Sequence, residues 1–466
     1  MQSERSSSGL AGIGNAMKQK VLLLSLAGLI PLYPQMGGGG GMGGFGGPAV
    51  LGSGAGSATG QRGGADMGIS FFGGVAAAYD NGLTGFALDS NGKINNSIAA
   101  GVDGFAGVYG SKRLRRGSFG INYSGHYRNY PSQGAFNGTD QTLGLFTNRQ
   151  LTKRSTLSFF VSAMTTNRAF GNSFASFSID PTLGSIFGPT AEIFDNRVYF
   201  ANGNLNYSYQ KSARLSVSIS GDGFIMRRTG QVLFGTNGTS TNAMVSYRLS
   251  RRQTISAGHQ FFMFNFTRNF GDSYGNGAFG GYSIQLGKRA QVSLQGGFLR
   301  LESLGLTTTA IDPVIAALIG VSSVQEVFYS TSIMPTAQVS ISYRVNRLHS
   351  FGFNGGIAAT PGNGIINTAR STFAGSNYTY SGIRNWGLGG GVQYMKMASL
   401  IGPNQIFETV QSSVNTSRKL TNQIFFTLMA GNRKFLGTST SGFKRNSYQV
   451  SAGFTWSPRQ IPISIR

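Results

Sequence analysis

Three histidines, His126, His259 and His349, are the only imidazoles in a chain of 466 residues that contains no cysteine. Imidazole is the common general base for a serine nucleophile, and it must stand within hydrogen-bond reach of the hydroxyl it activates. Ser124 lies two residues before His126 in INYSGHYRN, so an extended backbone puts both side chains on one face. That pairing would suit an ester or peptide hydrolase. Serine is, however, the default polar residue of every alternating segment in the chain. Ser124 and His126 therefore read as polar wall residues, no catalytic residue is assigned, and no enzyme activity is expected.

Metal chemistry fares no better. His259 sits in SAGHQFFMFNF, where alternation breaks beside Gly258 and a β-bulge is expected, and His349 falls in a turn. The 15 acidic residues are scattered, so no spacing fits a transition metal, and neither metal nor cofactor is expected; loop acids could hold Ca²⁺ only loosely. A formal net charge of +24 would ordinarily raise nucleic-acid binding, but no recognition helix or RNA-binding motif accompanies it.

The charges that could do work are arginines. Arg128, Arg214, Arg248 and Arg344 share the polar parity of their segments, which makes them candidates for charge along an aqueous lumen. The competing reading is that they brace a wall by pairing or by bonding to carbonyls.

These side chains need strands to position them. In AQVSISYRVNR (Ala337–Arg347) apolar or aromatic residues alternate with polar ones without a break, which is the pattern of a strand with two unlike faces. Short basic turns recur along the chain: KRLRR (112–116), TKR (152–154), KSAR (211–214), SRR (250–252), GKR (287–289), NRLH (346–349), IRN (383–385) and SRK (417–419). Most lie about 40 residues apart, with two gaps near 60, and each interval holds two alternating segments. Eight turns, a first strand near Met67–Tyr79 and a last near Ser447–Trp456 give eighteen strands, with sixteen as the alternative count.

A propeller blade repeats at a similar length but holds four short strands. Two strands of about 9–11 residues per unit, with alternating short and long connections, fit a transmembrane up-and-down antiparallel β-barrel, an all-β fold. The turns carry 16 of the 39 Lys and Arg and no acid. Trp386 and Trp456 fall at the turn level, where an aromatic girdle meets the membrane interface.

Before the barrel, residues 1–36 hold a signal-peptide region, with Lys18 and Lys20 ahead of the apolar run Val21–Leu32. Residues 37–66 form a Gly-rich flexible linker, 67–456 the barrel, and 457–466 a C-terminal tail. The two longest loops, about Arg168–Asp195 and Ser303–Pro335, each contain Ile-Asp-Pro. Asp180 with Pro181, and Asp312 with Pro313, fit an N-cap followed by the first helical position, so each loop is expected to carry a short helix that folds inward and constricts the lumen, the alternatives being a contact with another subunit or packing among the loop tips.

The last strand, SYQVSAGFTW, resembles the C-terminal assembly signal of Gram-negative outer-membrane β-barrels through Gly453, Phe454 and Trp456, although ten residues follow it. The resemblance implies an integral, porin-like protein of the outer membrane, without specifying a porin family. Closing eighteen strands leaves an interior too wide for side chains to fill unless a segment plugs it. The expected function is a channel for passive diffusion of small hydrophilic solutes with a modest anion preference. The alternatives are a sealed structural or interaction barrel, and less readily an outer-membrane lipase or protease. Expected partners are outer-membrane lipid, the barrel-assembly machinery, small hydrophilic solutes and a second copy of the chain, but no nucleic acid.

Overall fold

A computed structural model describes residues 67–81, 98–167, 197–230, 233–268, 270–310, 323–364, 366–400, 406–438, 445–458 and 461–463. The signal region and the Gly-rich linker lie outside the described residues. The strands are β1 (Met67–Asp80), β2 (Ala99–Leu114), β3 (Gly117–Asn129), β4 (Gly138–Gln150), β5 (Ser155–Asn167), β6 (Arg197–Gln210), β7 (Leu215–Arg228), β8 (Gly235–Arg248) and β9 (Gln253–Thr267). They continue with β10 (Gly271–Leu286), β11 (Ala290–Ala310), β12 (Ser323–Arg344), β13 (His349–Thr360), β14 (Ala369–Tyr380), β15 (Trp386–Ser399), β16 (Ile406–Lys419), β17 (Ile424–Thr438), β18 (Arg445–Trp456) and the short β19 (Ile461–Ile463).

Each strand from β1 to β18 pairs antiparallel with its neighbours in sequence, and β1 pairs with β18 to close an eighteen-strand barrel. Part of the expected tail is strand: Ile461–Ile463 pairs with Met67–Ile69 on the same edge of β1 that β18 occupies higher up.

The turns share a local chemistry. Thr152, Ser212, Asn346 and Thr421 each accept, through a side-chain oxygen, the backbone N–H groups two and three residues on. These side chains satisfy donors that a two-strand reversal would leave bare. One expected turn is corrected. SRK lies within β16, and the reversal is made by Leu420–Gln423, because Thr421 supplies the turn's acceptor.

Alternation sets the two faces. Phe71, Tyr123, Phe159, Leu205, Val245, Tyr343, Val414 and Phe454 are exposed on the outside. In water this contiguous belt would cost roughly 25 cal/mol for each Å²; against lipid tails it is the solvent-matched surface of an outer-membrane barrel. Within AQVSISYRVNR, Val339, Ile341 and Tyr343 pair with Gly355, Phe353 and Phe351 on β13 to continue the belt, while Gln338 is nearly buried inside.

The inner face explains much of the glycine content. Gly275 lies under the Phe262 ring and Gly258 under the Phe279 ring; a Cβ at either would come within 2.4 Å of a ring carbon. No bulge forms beside His259, since β9 and β10 keep continuous register from Gln253 to Asn265. Alternation breaks there because both faces are apolar: Phe262, Phe264 and Phe266 are buried inside.

A second correction concerns the loop expected at Ser303–Pro335. Most of it is strand: β11 runs to Ala310 and β12 starts at Ser323, in unbroken register from Ala310↔Ser323 to Ala290↔Tyr343. The intervening residues, with Asp312 and Pro313, lie outside the described residues, as does the Arg168–Asp195 loop with Asp180 and Pro181.

Candidate functional site

The connection between β13 and β14 is eight residues long, and it turns into the barrel. Pro361 ends β13, since it has no N–H to donate to a ladder. Gly362 has φ +72°, and a Cβ there would stand 1.8 Å from the Ile366 carbonyl oxygen, so the reversal admits only glycine. Asn363 then closes a tight turn. Its Oδ1 accepts the Ile366 N–H at 3.0 Å, and its own N–H donates to the Ile366 carbonyl at 3.3 Å.

Of the described residues in Ala358–Ala369, all but Asn367 are buried, with Asn363, Thr368 and Ala369 wholly so. Gly364 reaches the far wall, where its carbonyl accepts the Phe234 N–H at 3.2 Å and its Cα lies against the Arg228 guanidinium. The Thr368 hydroxyl hydrogen-bonds Ser273 of β10, whose Oγ donates to Ser303 of β11 at 3.0 Å. Leu400 donates its N–H to the Thr368 carbonyl at 3.0 Å.

Apolar side chains pack on both sides of this segment. On one side Ala359 joins Phe234, Phe262, Phe264, Phe266, Leu299, Leu301 and Met334. The Phe262 and Phe264 rings stack at 4.7 Å, and Phe234 meets Phe266 edge to face at 5.4 Å. On the other side Ile366 and Ala369 join Met397, Phe407 and Phe435. Each large side chain withdrawn from water here contributes roughly 1.5–3 kcal/mol, so the closure is held by more than its few hydrogen bonds.

Near the loops, Val198, Phe200 and Met226 form a further apolar cluster on β6 and β7, whereas the inner wall of β2 and β3 carries buried charge. Asp103 on β2 faces Arg128 on β3 in register, with Oδ2 2.8 Å from Nη2 and both side chains buried. His126 Nδ1 stands 3.6 Å from the other Asp103 oxygen, and its ring stacks on Phe105 at 5.3 Å. Tyr130, just past the end of β3, is fully buried, and burial pushes its phenol up to about 12, so it stays neutral.

The other residues singled out from sequence are dispersed. Arg214 is exposed in a turn, where its carbonyl accepts the Arg248 N–H, and Arg248 and Arg344 stand at the turn ends of β8 and β12. Arg128 is the exception among the four, being wholly buried. Trp386 and Trp456 sit at the turn level, with the Arg418 guanidinium 5.3 Å from the Trp386 ring. Gly453 faces inward and Phe454 outward on β18, opposite Ala76 and Val75 of β1. His259 Nε2 meets Asn276 Oδ1, and His349 Nδ1 meets the Tyr378 hydroxyl at 2.6 Å.

No protein-family model and no curated protein matches this sequence. Among solved structures, the chain is similar to the FrpB iron transporter of Neisseria meningitidis at 8% identity and a TM-score of 0.43, covering 86% of this chain and 83% of that one. It is similar to the ferric citrate transporter FecA in its unliganded form at 7% identity and a TM-score of 0.42, covering 85% and 79%. It is also similar to the siderophore receptor PirA of Acinetobacter baumannii at 9% identity and a TM-score of 0.40, covering 85% and 81%. The open channel for passive diffusion expected from the sequence, with its anion preference, is corrected by the inside of the barrel itself. In this chain the loop end of the lumen is filled, among the described residues, by Ala358–Ala369 and the apolar side chains on either side of it.

Proposed function

We propose that the protein is an outer-membrane barrel sealed across its loop end, serving as a structural or interaction protein at the cell surface. One observation carries this reading: the in-folded segment Ala358–Ala369 is packed between two buried apolar clusters that belong to opposing parts of the wall. A permeating ion would have to shed its hydration among Phe262, Phe264, Leu299 and Ile366, whose apolar side chains do not replace the lost water. Short basic turns facing the periplasm and longer connections facing outward fit the usual orientation of such barrels. Lipid surrounds the apolar belt, and β18, with Gly453, Phe454 and Trp456, is the strand offered to the assembly machinery.

Planar-bilayer recording of the purified full chain tests the seal. Insertion is checked independently by protease protection of the reconstituted barrel. The expected record is silent across many insertions, and steady wild-type currents would overturn the reading.

A further inference from the structure

The turn end of the barrel is cationic, and part of that charge faces sideways. Each of the eight short turns carries an exposed lysine or arginine within it or on the strand that enters it. Among the described residues the acid nearest this end is Asp222, seven residues along β7 from Leu215 and on the inner face, where Asn204 donates to it. Among those residues, then, no carboxylate stands at the rim to neutralise it.

Most of these cations lie at the turn tips, but Lys112, Arg149 and Arg418 have the outward parity of the belt. Lys112 pairs across the ladder with Phe119, Arg149 with Leu157, and Arg418 with Trp386 and Phe426. Each of the three is followed two residues later by an exposed leucine: Leu114, Leu151 and Leu420. The apolar surface thus continues past each cation toward the turn. A charge placed there stands within the interfacial layer, at the depth of lipid head groups, and not beyond it in water. A water-borne macromolecule can reach the turn tips, whereas the sideways cations meet lipid first.

Arg418 is the best defined of them. Its guanidinium lies over the Trp386 ring, 5.3 Å from the centroid. A guanidinium held by its face keeps its in-plane N–H donors for an oxyanion, and a phosphate accepts two of them side by side. Lys419, next in sequence, and Arg384, in the turn that leads into Trp386, are both exposed and add to the field there.

We propose that the turn-end rim binds anionic phospholipid of the leaflet it stands in. Arg418 and Arg149 hold the phosphate, and the turn-tip cations supply the selectivity. A zwitterionic head group brings an ammonium that the rim repels, whereas a head group with net negative charge is drawn to the whole ring.

The chain carries its own reporters, because its only two tryptophans, Trp386 and Trp456, both face outward at this rim. The full-length protein is reconstituted in bilayers that mix phosphatidylcholine with phosphatidylglycerol, with bromine on the acyl chains of one or the other. Quenching of tryptophan fluorescence then reads which lipid lies against the rim. Phosphatidylglycerol should be favoured several-fold at low salt, and the ratio should fall toward one at ~1 M salt, where the Debye length is only ~3 Å. In a Trp456→Phe background, Arg418→Gln should lower the ratio read by Trp386 and Arg418→Lys should keep it above one. Arg149→Gln, seven strands away around the barrel, should leave that ratio unchanged. A wild-type ratio of one would leave the rim to a water-borne anion and overturn the proposal, and this measurement needs no variant to fold. A preference indifferent to salt and to Arg418→Gln would overturn the assignment to phosphate at Arg418. Both leaflets have the same composition, so the outcome depends neither on orientation nor on the axial seal, and either reading can fail without the other.

Discussion

Arg128 and Asp103 face each other across β2 and β3 with Nη2 and Oδ2 2.8 Å apart, and neither side chain reaches the solvent. The pair is a brace inside the wall. Deleting one partner strands the other charge away from water, which typically costs about 3–5 kcal/mol, whereas deleting both removes the problem. Arg128→Leu should therefore lower the urea midpoint of the barrel in detergent far more than the double change Arg128→Leu with Asp103→Leu. Equal losses in the two variants would show that the ion pair is not what the site depends on.

The closure depends on a backbone shape that only glycine adopts. Gly362→Ala places a Cβ 1.8 Å from one carbonyl oxygen and 2.0 Å from another, so the Pro361–Thr368 connection must leave its position. A strain of roughly 1–3 kcal/mol is expected at such a residue. Because the strand ladders do not involve Gly362, the barrel should keep its far-ultraviolet spectrum while currents appear in bilayers. A silent, normally folded Gly362→Ala protein would mean that the segment is not the barrier.

Orientation is checked with single cysteines, since the chain has none of its own. Ser132, exposed between β3 and β4, lies at the loop end, and Ser212, exposed between β6 and β7, lies at the turn end. An impermeant maleimide on intact cells should label Ser132→Cys and spare Ser212→Cys. The opposite pattern would invert the barrel in its membrane.

Asn81 ties β1 to β18 beyond their last ladder pair. Its Oδ1 accepts the Tyr448 N–H at 2.7 Å, its N–H donates to the Tyr448 carbonyl, and its carbonyl accepts from Arg445 Nη2 at 2.9 Å. Asn81→Ala removes only the first of these bonds and should cost about 1–2 kcal/mol. Hydrogen exchange should accelerate at the β1–β18 amides and stay unchanged on β7. Uniform acceleration across the barrel would show that the closing pair has no local stability of its own.

Strand count, closure and the lipid-facing belt were legible because a barrel wall writes its two environments into alternate residues, as in Val339, Ile341 and Tyr343 against Gln338 and Ser340. The same signal fails where both faces are dry. At Phe261–Phe262 aromatic residues stand on both sides of β9, and alternation blurs into what reads as a bulge. The in-folded segment was missed for a related reason. PGNGIINT is short, and its only signs were a Pro-Gly-Asn-Gly turn followed by two isoleucines, whereas the two longer loops drew attention by length. Nor does any local pattern announce that Ala359 is buried in one cluster with Phe262, Leu299 and Leu301, about 60 to 100 positions earlier in the chain.

The β1–β18 pairing joins the first and last long strands of the chain, and this governs the order in which the barrel can form. Apart from the three-residue β1–β19 ladder, every other ladder links strands adjacent in sequence and can grow by local hairpin formation. Closing the circle encloses roughly four doublings more chain than a hairpin, about 2 kcal/mol of additional entropy, and it can occur only after the intervening strands are in place. Until then β1 and β18 are both open edges, which is the period of greatest exposure to pairing with other chains. β19 shortens that period in a simple way: by occupying Met67–Ile69 it lets the C-terminal end hold β1 at two points, so that once the ring has met, it cannot slip by a register without breaking both.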